Sequence, residues 1–469
     1  MTNRDDLIDL ASERIGATVL YATDDFFAEK ENLVKDAAPV WKEHEYTDRG
    51  KWMDGWESRR KRVPGHDYAI VRLGAPGVIR GIVVDTRFFR GNFPSHCSLE
   101  ACFAPAETQP DALTSWIEIL PKSELKGDTQ NELAIESPYA FTHLRFHIYP
   151  DGGVARLRVY GEVVPEWHRE GGLHRELDLA AIEHGGKVLA CSDMFFGPKH
   201  NLIMPGRARN MGDGWETRRR RGPGNDWVTV QLATEAVVRR VEVDTSHFKG
   251  NYPDTCSIDT GERELLARTK LLPDTRHIFV DELRDVGPVS QIRLNVFPDG
   301  GIARLRVYGT ATEAGRQREV VRRLNTRIDA AAELRMCCAS SAWVQRMNDA
   351  RPFRDWNDLA GKADEIWRSS SESDWREAFA AHPRIGEKRA GWSSQEQARV
   401  APNEELEELN REYEARFDDV FLISAAGKTA TESLAAARER IGNASVEEMR
   451  NAAEEQRKIT RLRLMKLVE

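Results

Sequence analysis

The sequence predicts a multidomain chain: two all-β sandwiches or jelly rolls in tandem, then an all-α domain. Three observations carry this. First, long motifs occur twice in the 469 residues. PDGGVARLRVYG from Pro150 returns as PDGGIARLRVYG from Pro298, and DGWESRRKRVPGHDY from Asp54 as DGWETRRRRGPGNDW from Asp213. VDTRFFRGNFPSHCS from Val84 returns as VDTSHFKGNYPDTCS from Val243. The pairs Asp54/Asp213, Asp85/Asp244 and Cys97/Cys256 share one offset, so the intervening backbone aligns without a gap. A repeat this long is a duplicated domain, not a solenoid unit. Second, the duplicated stretches alternate apolar and polar residues between turn signals. Third, the alternation stops after Gly309 and helical periods begin.

At about 150 residues per domain the length suits three domains. The expected bounds are 1–165 and 172–312 for the repeats, with EWHREGG (166–172) between them, and 316–469 for the rest. In repeat 1, VIRGIVVDT (78–86), HLRFHIYP (143–150) and VARLRVYGEV (154–163) read as strands, rich in β-branched residues. Pro-Asp-Gly-Gly between the last two is a hairpin signal, since Pro presets φ and Gly accepts positive φ. Repeat 1 is about ten residues longer after Asn32, and again between Asn92 and Pro150, which marks surface loops. In the last domain, EELEELNREYEARFDDVF (404–421) spaces Leu406, Leu409, Tyr413 and Phe417 for a helix face. VEEMRNAAEEQRKITRLRLMKLV (446–468) does the same with Met449, Ala453, Ile459, Leu462 and Leu467.

A net charge of −8 argues against nucleic acid as a main partner. MTNRDDLIDL opens polar and acidic, unlike a signal peptide, and no apolar run approaches the ~20 residues of a membrane span. Six cysteines without CxxC spacing read as buried free thiols, and with them a cytoplasmic protein is expected. Charged sandwiches of this kind suggest a homo-oligomer. No HxH or HExxH spacing supports zinc. A divalent ion on Asp24, Asp25 and Glu57 stays open, with no spacing motif behind it.

Alternation puts Arg145 and His147 on one strand face, and Arg156 and Arg158 opposite Leu157 and Val159. Arg293, Asn295, Arg304 and Arg306 match them in repeat 2. Such arginines either grip a carboxylate through their planar fork or pair with nearby acids. The GWE(S/T)RR block concentrates Trp56, Glu57, Arg59 and Arg60, and Trp215, Glu216, Arg218 and Arg219. The tryptophans read as core, and the glutamates as acid/base groups or partners of the adjacent arginines. Further on, AHPRIGEK (381–388) leaves a helix through Pro383, and Ser393 and Glu396 fit a capping box as well as a site.

These motifs go further as resemblances. DDFFAEKENL (24–33), DGWESRRKRVPGHD, IVVDTRFFRGNFP and HIYPDGGVARLRVYG, with their second copies, resemble allantoicase over residues 6–312. The resemblance implies two galactose-binding-like sandwiches and the conversion of allantoate and water to ureidoglycolate and urea. Allantoate carries one carboxylate and two ureido groups on a single carbon. An arginine should therefore hold the carboxylate and an acid should protonate the leaving nitrogen. On this reading Arg59, Arg60, His147 and Arg156, with Arg218, Arg219 and Arg304, bind substrate. Glu57, Asp85, Glu216 and Asp244 are the acid/base candidates, and a divalent metal is an open cofactor. The departures His147/Asn295, Glu31/His200 and His66/Asn225 suggest one catalytic face per chain.

SSAWVQRM (340–347), ARPF, AHPRIGEK, SSQEQ, LNREYEARF, VFLISAAGK (420–428) and RKITRLRLMKLV (457–468) resemble 2-oxo-4-hydroxy-4-carboxy-5-ureidoimidazoline (OHCU) decarboxylase over about 322–469. That implies His382 and Glu396 as catalytic groups and Pro383, Ser393 and Lys428 at the substrate. Ala426 stands where many members carry arginine, and Lys428 is a poor substitute for a fork. The two reactions would flank a separate ring-opening step, so channelling is not required. Two alternatives stay open: non-catalytic ureide- or sugar-binding sandwiches, and a helical domain that serves only as an oligomerisation scaffold.

Overall fold

The computed structural model describes residues 7–384, 392, 404–425 and 427–469. The chain divides into two compact units, Met1–Gly315 and Arg316–Glu469.

The first unit holds two sandwiches of the same build, each organised around one 19-residue strand, Asp67–Asp85 and Asp226–Asp244. Such a strand is too long for one layer, and it serves two. The first half of Asp67–Asp85 pairs with Ala140–Tyr149 and Thr18–Ala22, the second half with Arg156–Val163 and Gln130–Ala134. His96–Cys102 and Ile117–Glu124 extend the first layer. Repeat 2 reproduces the order with Val289–Phe297, Arg304–Ala311, Thr255–Asp259 and Glu264–Lys270. The inward faces follow the alternation: Leu144, Phe146, Ile148, Leu157 and Val159 are fully buried, as are Leu294, Val296, Leu305 and Val307.

One expectation fails here. Pro-Asp-Gly-Gly is not a hairpin turn, because its flanking strands pair with different halves of the long strand and not with each other. It is a crossover between layers. Gly153–Val154 pairs instead with Trp56–Glu57, and Gly301–Ile302 with Trp215–Glu216. The glycine is needed for close approach: at Gly152 (φ 133°) a Cβ would lie 2.6 Å from the Asn92 carbonyl, and Gly300 repeats this against Asn251.

The repeats are tied together. Ile15 packs into the repeat 2 core, and Arg14 donates to Asn201 Oδ1 at 2.8 Å and pairs with Asp213. All six cysteines are free thiols, and burial pushes Cys97 and Cys256 up to about 12.

The second unit is helical, with eight helices among the described residues counting Glu313–Thr326, which begins before it. Ser371 and Thr429 close capping boxes on Glu372–Ala380 and Ala430–Arg440. Glu404–Phe417 and the 22-residue Ser445–Lys466 are joined by the buried Tyr413–Glu448 hydrogen bond, and Arg440 pairs with the same carboxylate. Ile459 and Leu467 are buried as their spacing predicts, but Leu462 is 41% exposed. Among the described residues no helix is long and apolar enough to cross a membrane.

Candidate active sites

In repeat 1 the Trp56–Glu57 strand is zipped between Ala28 and the Gly153–Val154 pair. Trp56 is fully buried, and its Nε1 donates to the Asp24 carbonyl at 2.8 Å, which fixes the loop. Glu57 Oε1 accepts from Asn92 Nδ2 at 2.6 Å. Burial raises the Glu57 carboxyl above its ordinary range, against the opposing Asn92 bond. Arg59 Nε donates to Asp24 Oδ2 at 2.6 Å, and its guanidinium lies 5.1 Å from the centre of the Phe26 ring. Burial works against the Asp24 charge, but donors from Phe26 and Arg59 hold this carboxyl below its usual range. No hydrogen bond from the Arg59 terminal nitrogens is seen among the described residues.

Repeat 2 rebuilds this frame. Asn251 donates to Glu216, Arg218 is held by Asp193, and Trp215 Nε1 donates to the Asp193 carbonyl at 2.8 Å. Arg218 spends a terminal nitrogen on Asp193 as well, at 2.9 Å.

Arg156 and Arg304 are placed differently from the expectation that they face substrate. Arg156 is 1% exposed: Nη2 donates to Asp54 Oδ2 at 2.9 Å, and the remaining nitrogens donate to the carbonyls of Ala37, Asp54 and Ala155. Arg304 pairs likewise with Asp213 and with the carbonyls of Asn201, Gly206, Asp213 and Ala303. Both forks are filled by the chain, so these arginines position loops. Arg156 and Arg158 also lie on a different layer from Arg145 and His147, and the four do not form one face.

Asp85 is buried in a fork with Arg87, whose Nη2 lies 2.6 Å away, whereas Ser246 replaces that arginine and leaves Asp244 with the Ser246 N–H at 2.8 Å. Arg60 and Arg219 are exposed, with no ion pair among the described residues. His147 is buried between Glu100, 2.7 Å from Nε2, and His66, 2.9 Å from Nδ1. The carboxylates considered for a metal diverge: Asp24 meets Arg59, Asp25 lies 3.6 Å from Lys30 and Glu57 meets Asn92. Among the described residues no three His, Cys, Asp or Glu side chains are grouped to hold a metal ion.

The extra residues of repeat 1 after Asn32 form the hairpin Tyr46–Thr47/Gly50–Lys51. With the Asp25–Glu29 segment they wall a cavity of about 360 Å³, lined by Phe26, Ala28, Lys35, Arg49 and Trp52. Sequence reasoning did not single out Asn92, Asp24 as a clamp on Arg59, or Glu100. The signal for Asn92 was available, because Asn92 and Asn251 stand at equivalent positions of the aligned block.

In the helical unit, His382 follows helix Glu372–Ala380, and its N–H donates to the Phe379 carbonyl at 2.9 Å. Beside it opens a cleft of about 510 Å³, lined also by Arg384, Glu414, Asp418 and Asp419. Arg384 makes a two-bond fork with Glu414 at 2.7 and 2.6 Å, and Arg376 lies 2.6 Å from Asp419. Burial raises the Asp419 carboxyl, with Arg376 opposing. Pro383 is buried next to His382, and Lys428 precedes the N-cap Thr429. Ser393, Glu396 and Ala426 lie outside the described residues.

The family description "Allantoicase repeat" matches residues 8–164 and 177–312, and "OHCU decarboxylase" matches 324–465. A probable allantoicase of Photobacterium profundum is 49% identical over 327 residues, covering 66% of this chain and 98% of that relative. One from Pseudomonas fluorescens is 50% identical over 322 residues, with 65% and 97% covered. The solved allantoicase of Saccharomyces cerevisiae is 36% identical with a TM-score of 0.56, covering 65% of this chain and 93% of that one.

Proposed function

We infer, for a chain that belongs to the allantoicase family and carries an OHCU decarboxylase domain after its two repeats, a bifunctional enzyme of ureide breakdown. The first unit is an allantoicase, hydrolysing allantoate to ureidoglycolate and urea. The helical domain is an OHCU decarboxylase.

The observation that carries our assignment of roles is the pairing of a carboxyl whose proton affinity burial raises with an oriented guanidinium on one short loop. Glu57, raised by burial, is suited to protonate the departing ureido nitrogen. Arg59, aimed by Asp24 through Nε, offers its terminal nitrogens for a two-bond grip on the substrate carboxylate. Arg156 acts at one remove, holding Asp54 and with it the start of the loop. In the helical unit, our reading makes His382 the proton-handling group at a cleft whose charged walls suit a polar ureide.

The test is urea release from allantoate by the full-length protein, with and without a chelator, alongside CO₂ release from the ureidoimidazoline. Steady urea supports the first activity, and loss with chelator would reveal a metal requirement. Absence of urea under every metal condition would leave only a binding role for the sandwiches.

A further inference from the structure

Repeat 1 contains a row of titratable groups that the roles above do not use. Glu100 Oε2 accepts from Arg145 Nε at 2.6 Å and lies 2.7 Å from His147 Nε2. His147 Nδ1 lies 2.9 Å from His66 Nε2. The partners set the tautomers. Burial opposes the Glu100 charge, but His147 and Arg145 hold its carboxyl below the usual range, so it is ionised and only accepts. His147 therefore donates from Nε2 and offers a lone pair at Nδ1, which takes the Nε2–H of His66. The row ends at His66 Nδ1, a lone pair without a hydrogen-bond partner among the described residues, on a ring 4.4 Å from that of Tyr149.

Repeat 2 keeps the polarity of this row and removes its capacity for protons. Asn295 Nδ2 donates to Asp259 Oδ2 at 2.7 Å, and Asn225 Nδ2 donates to Asn295 Oδ1 at 3.4 Å. The registers agree: His147 sits opposite Tyr68 and Ser98, Asn295 opposite Trp227 and Ser257. A row needed only for folding works as amides, and repeat 2 builds it that way. Histidines at the same places add the ability to take up and pass a proton near neutral pH. The row and the Glu57 loop are set against one crossover, Glu57 pairing with Gly153 and the Asp67 N–H donating to the Pro150 carbonyl at 3.1 Å. Between Glu57 and His66 the chain is pinned to the Pro150–Gly153 crossover, by Ser58 N–H on the Gly152 carbonyl at 3.2 Å and Lys61 N–H on Asp151 Oδ2 at 2.7 Å.

We propose that repeat 1 is the working allantoicase site and that His66 is its general base, with His147 and Glu100 as positioning residues behind it. This rests on the allantoicase reading above. A water gives its proton to His66 Nδ1 while its oxygen bonds the central carbon of allantoate. The bond from that carbon to the leaving ureido nitrogen breaks, and the nitrogen takes the proton of Glu57. The imidazolium on His66 is stabilised through His147 by the Glu100 charge, as the orienting acid does in a catalytic triad. His66 then returns its proton to solvent and Glu57 regains one, so the cycle closes without a further reactant. The charged groups facing the two rings act in both directions. Burial is the largest influence and holds both histidines below their ordinary range, with Asp67 and Glu100 opposing it and Lys61, Lys122 and Arg145 adding to it.

His66→Asn and His147→Asn copy the amides of repeat 2, and a thermal melt at the wild-type midpoint verifies the fold. Urea release should then fall roughly 10²–10⁴-fold in kcat for His66→Asn, with KM changed by less than about threefold. The acidic limb of kcat/KM should vanish from the residual activity. Glu100→Gln removes a charge that raises the histidine pKa, so its acidic limb should move to lower pH. Asn225→Ala should keep the wild-type rate and profile. A His66→Asn enzyme with wild-type kcat and an unchanged acidic limb overturns the proposal. A wild-type protein that releases no urea instead overturns the allantoicase reading, and the base role with it.

Discussion

Glu57 on Asn92, Arg59 on Asp24 and Arg156 on Asp54 in repeat 1 return in repeat 2 as Glu216 on Asn251, Arg218 on Asp193 and Arg304 on Asp213. Positive φ at Phe88 (72°) and His247 (71°) matches as well. Against this shared frame stand three changes. The Arg87 fork on Asp85 becomes a serine, the histidine row becomes amides, and the hairpin that walls the repeat 1 cavity is missing. Without that hairpin, Phe195 and Phe196 of repeat 2 are 64% and 61% exposed, whereas the Arg49 guanidinium lies 5.2 Å from the centre of the Phe26 ring. These contacts close the loops in both copies, and the acid and the guanidinium of the Glu57 loop belong to that shared frame. On the proposed reading, the histidine row and the walled cavity mark repeat 1 as the working copy.

The largest effect that can break this comparison is on turnover. Glu57→Gln keeps the shape and the Asn92 contact but removes the acid, and kcat for urea release should fall roughly 10²–10³-fold. Asn92→Ala sharpens the assignment through pH. Asn92 donates to the carboxylate and so favours its ionised form. Removing it raises the Glu57 pKa further. An acid must be protonated to work, so the alkaline limb of kcat/KM should move to higher pH. A shift to lower pH would show that Glu57 works ionised.

The next effect is on stability. Arg156→Met takes the guanidinium from the Asp54 carboxylate and three carbonyls and leaves that carboxylate the Val40 N–H, whereas after Arg304→Met Asp213 keeps Arg14 and the Arg209 N–H. Arg156→Met should cost about 3–5 kcal/mol and Arg304→Met less, because Arg14 still compensates Asp213, both read as a fall in the urea-denaturation midpoint. An Arg156→Met protein of wild-type stability with only KM raised would return this arginine to the substrate.

That arginine also shows what the sequence makes legible. Duplication and alternation were enough for the sandwiches, because burial follows the period of two. An arginine on a strand, however, reads the same whether its fork meets a substrate or an aspartate 102 residues away, and only the folded loops decide. His66 and His147 were visible as departures between the repeats. Their hydrogen bond spans 81 residues and has no local signature. The Pro-Asp-Gly-Gly turn departs from its expectation for a related reason. Turn residues report that the chain reverses, not which strands then pair. In the helical unit the capping boxes were of a kind that sequence can supply, since both partners lie within one turn.

The smallest effect tests the shared frame itself. A Cβ on Gly153 would stand 2.0 Å from the Phe89 ring, and one on Gly301 1.9 Å from the Phe248 ring. Both phenylalanines are fully buried and cannot swing aside without leaving the core. Gly153→Ala and Gly301→Ala should therefore each destabilise by about 1–3 kcal/mol through overpacking. The consequences for activity should differ. Displacing Phe89 moves the crossover against which Glu57 and the His66 segment are set, so Gly153→Ala should also lower turnover in the fraction that remains folded. Gly301→Ala disturbs the same joint beside Glu216 and the amide row. It should lower the unfolding midpoint by a similar amount while urea release per folded molecule stays near that of the wild type. Equal losses of turnover from the two alanines would mean that both repeats carry working sites.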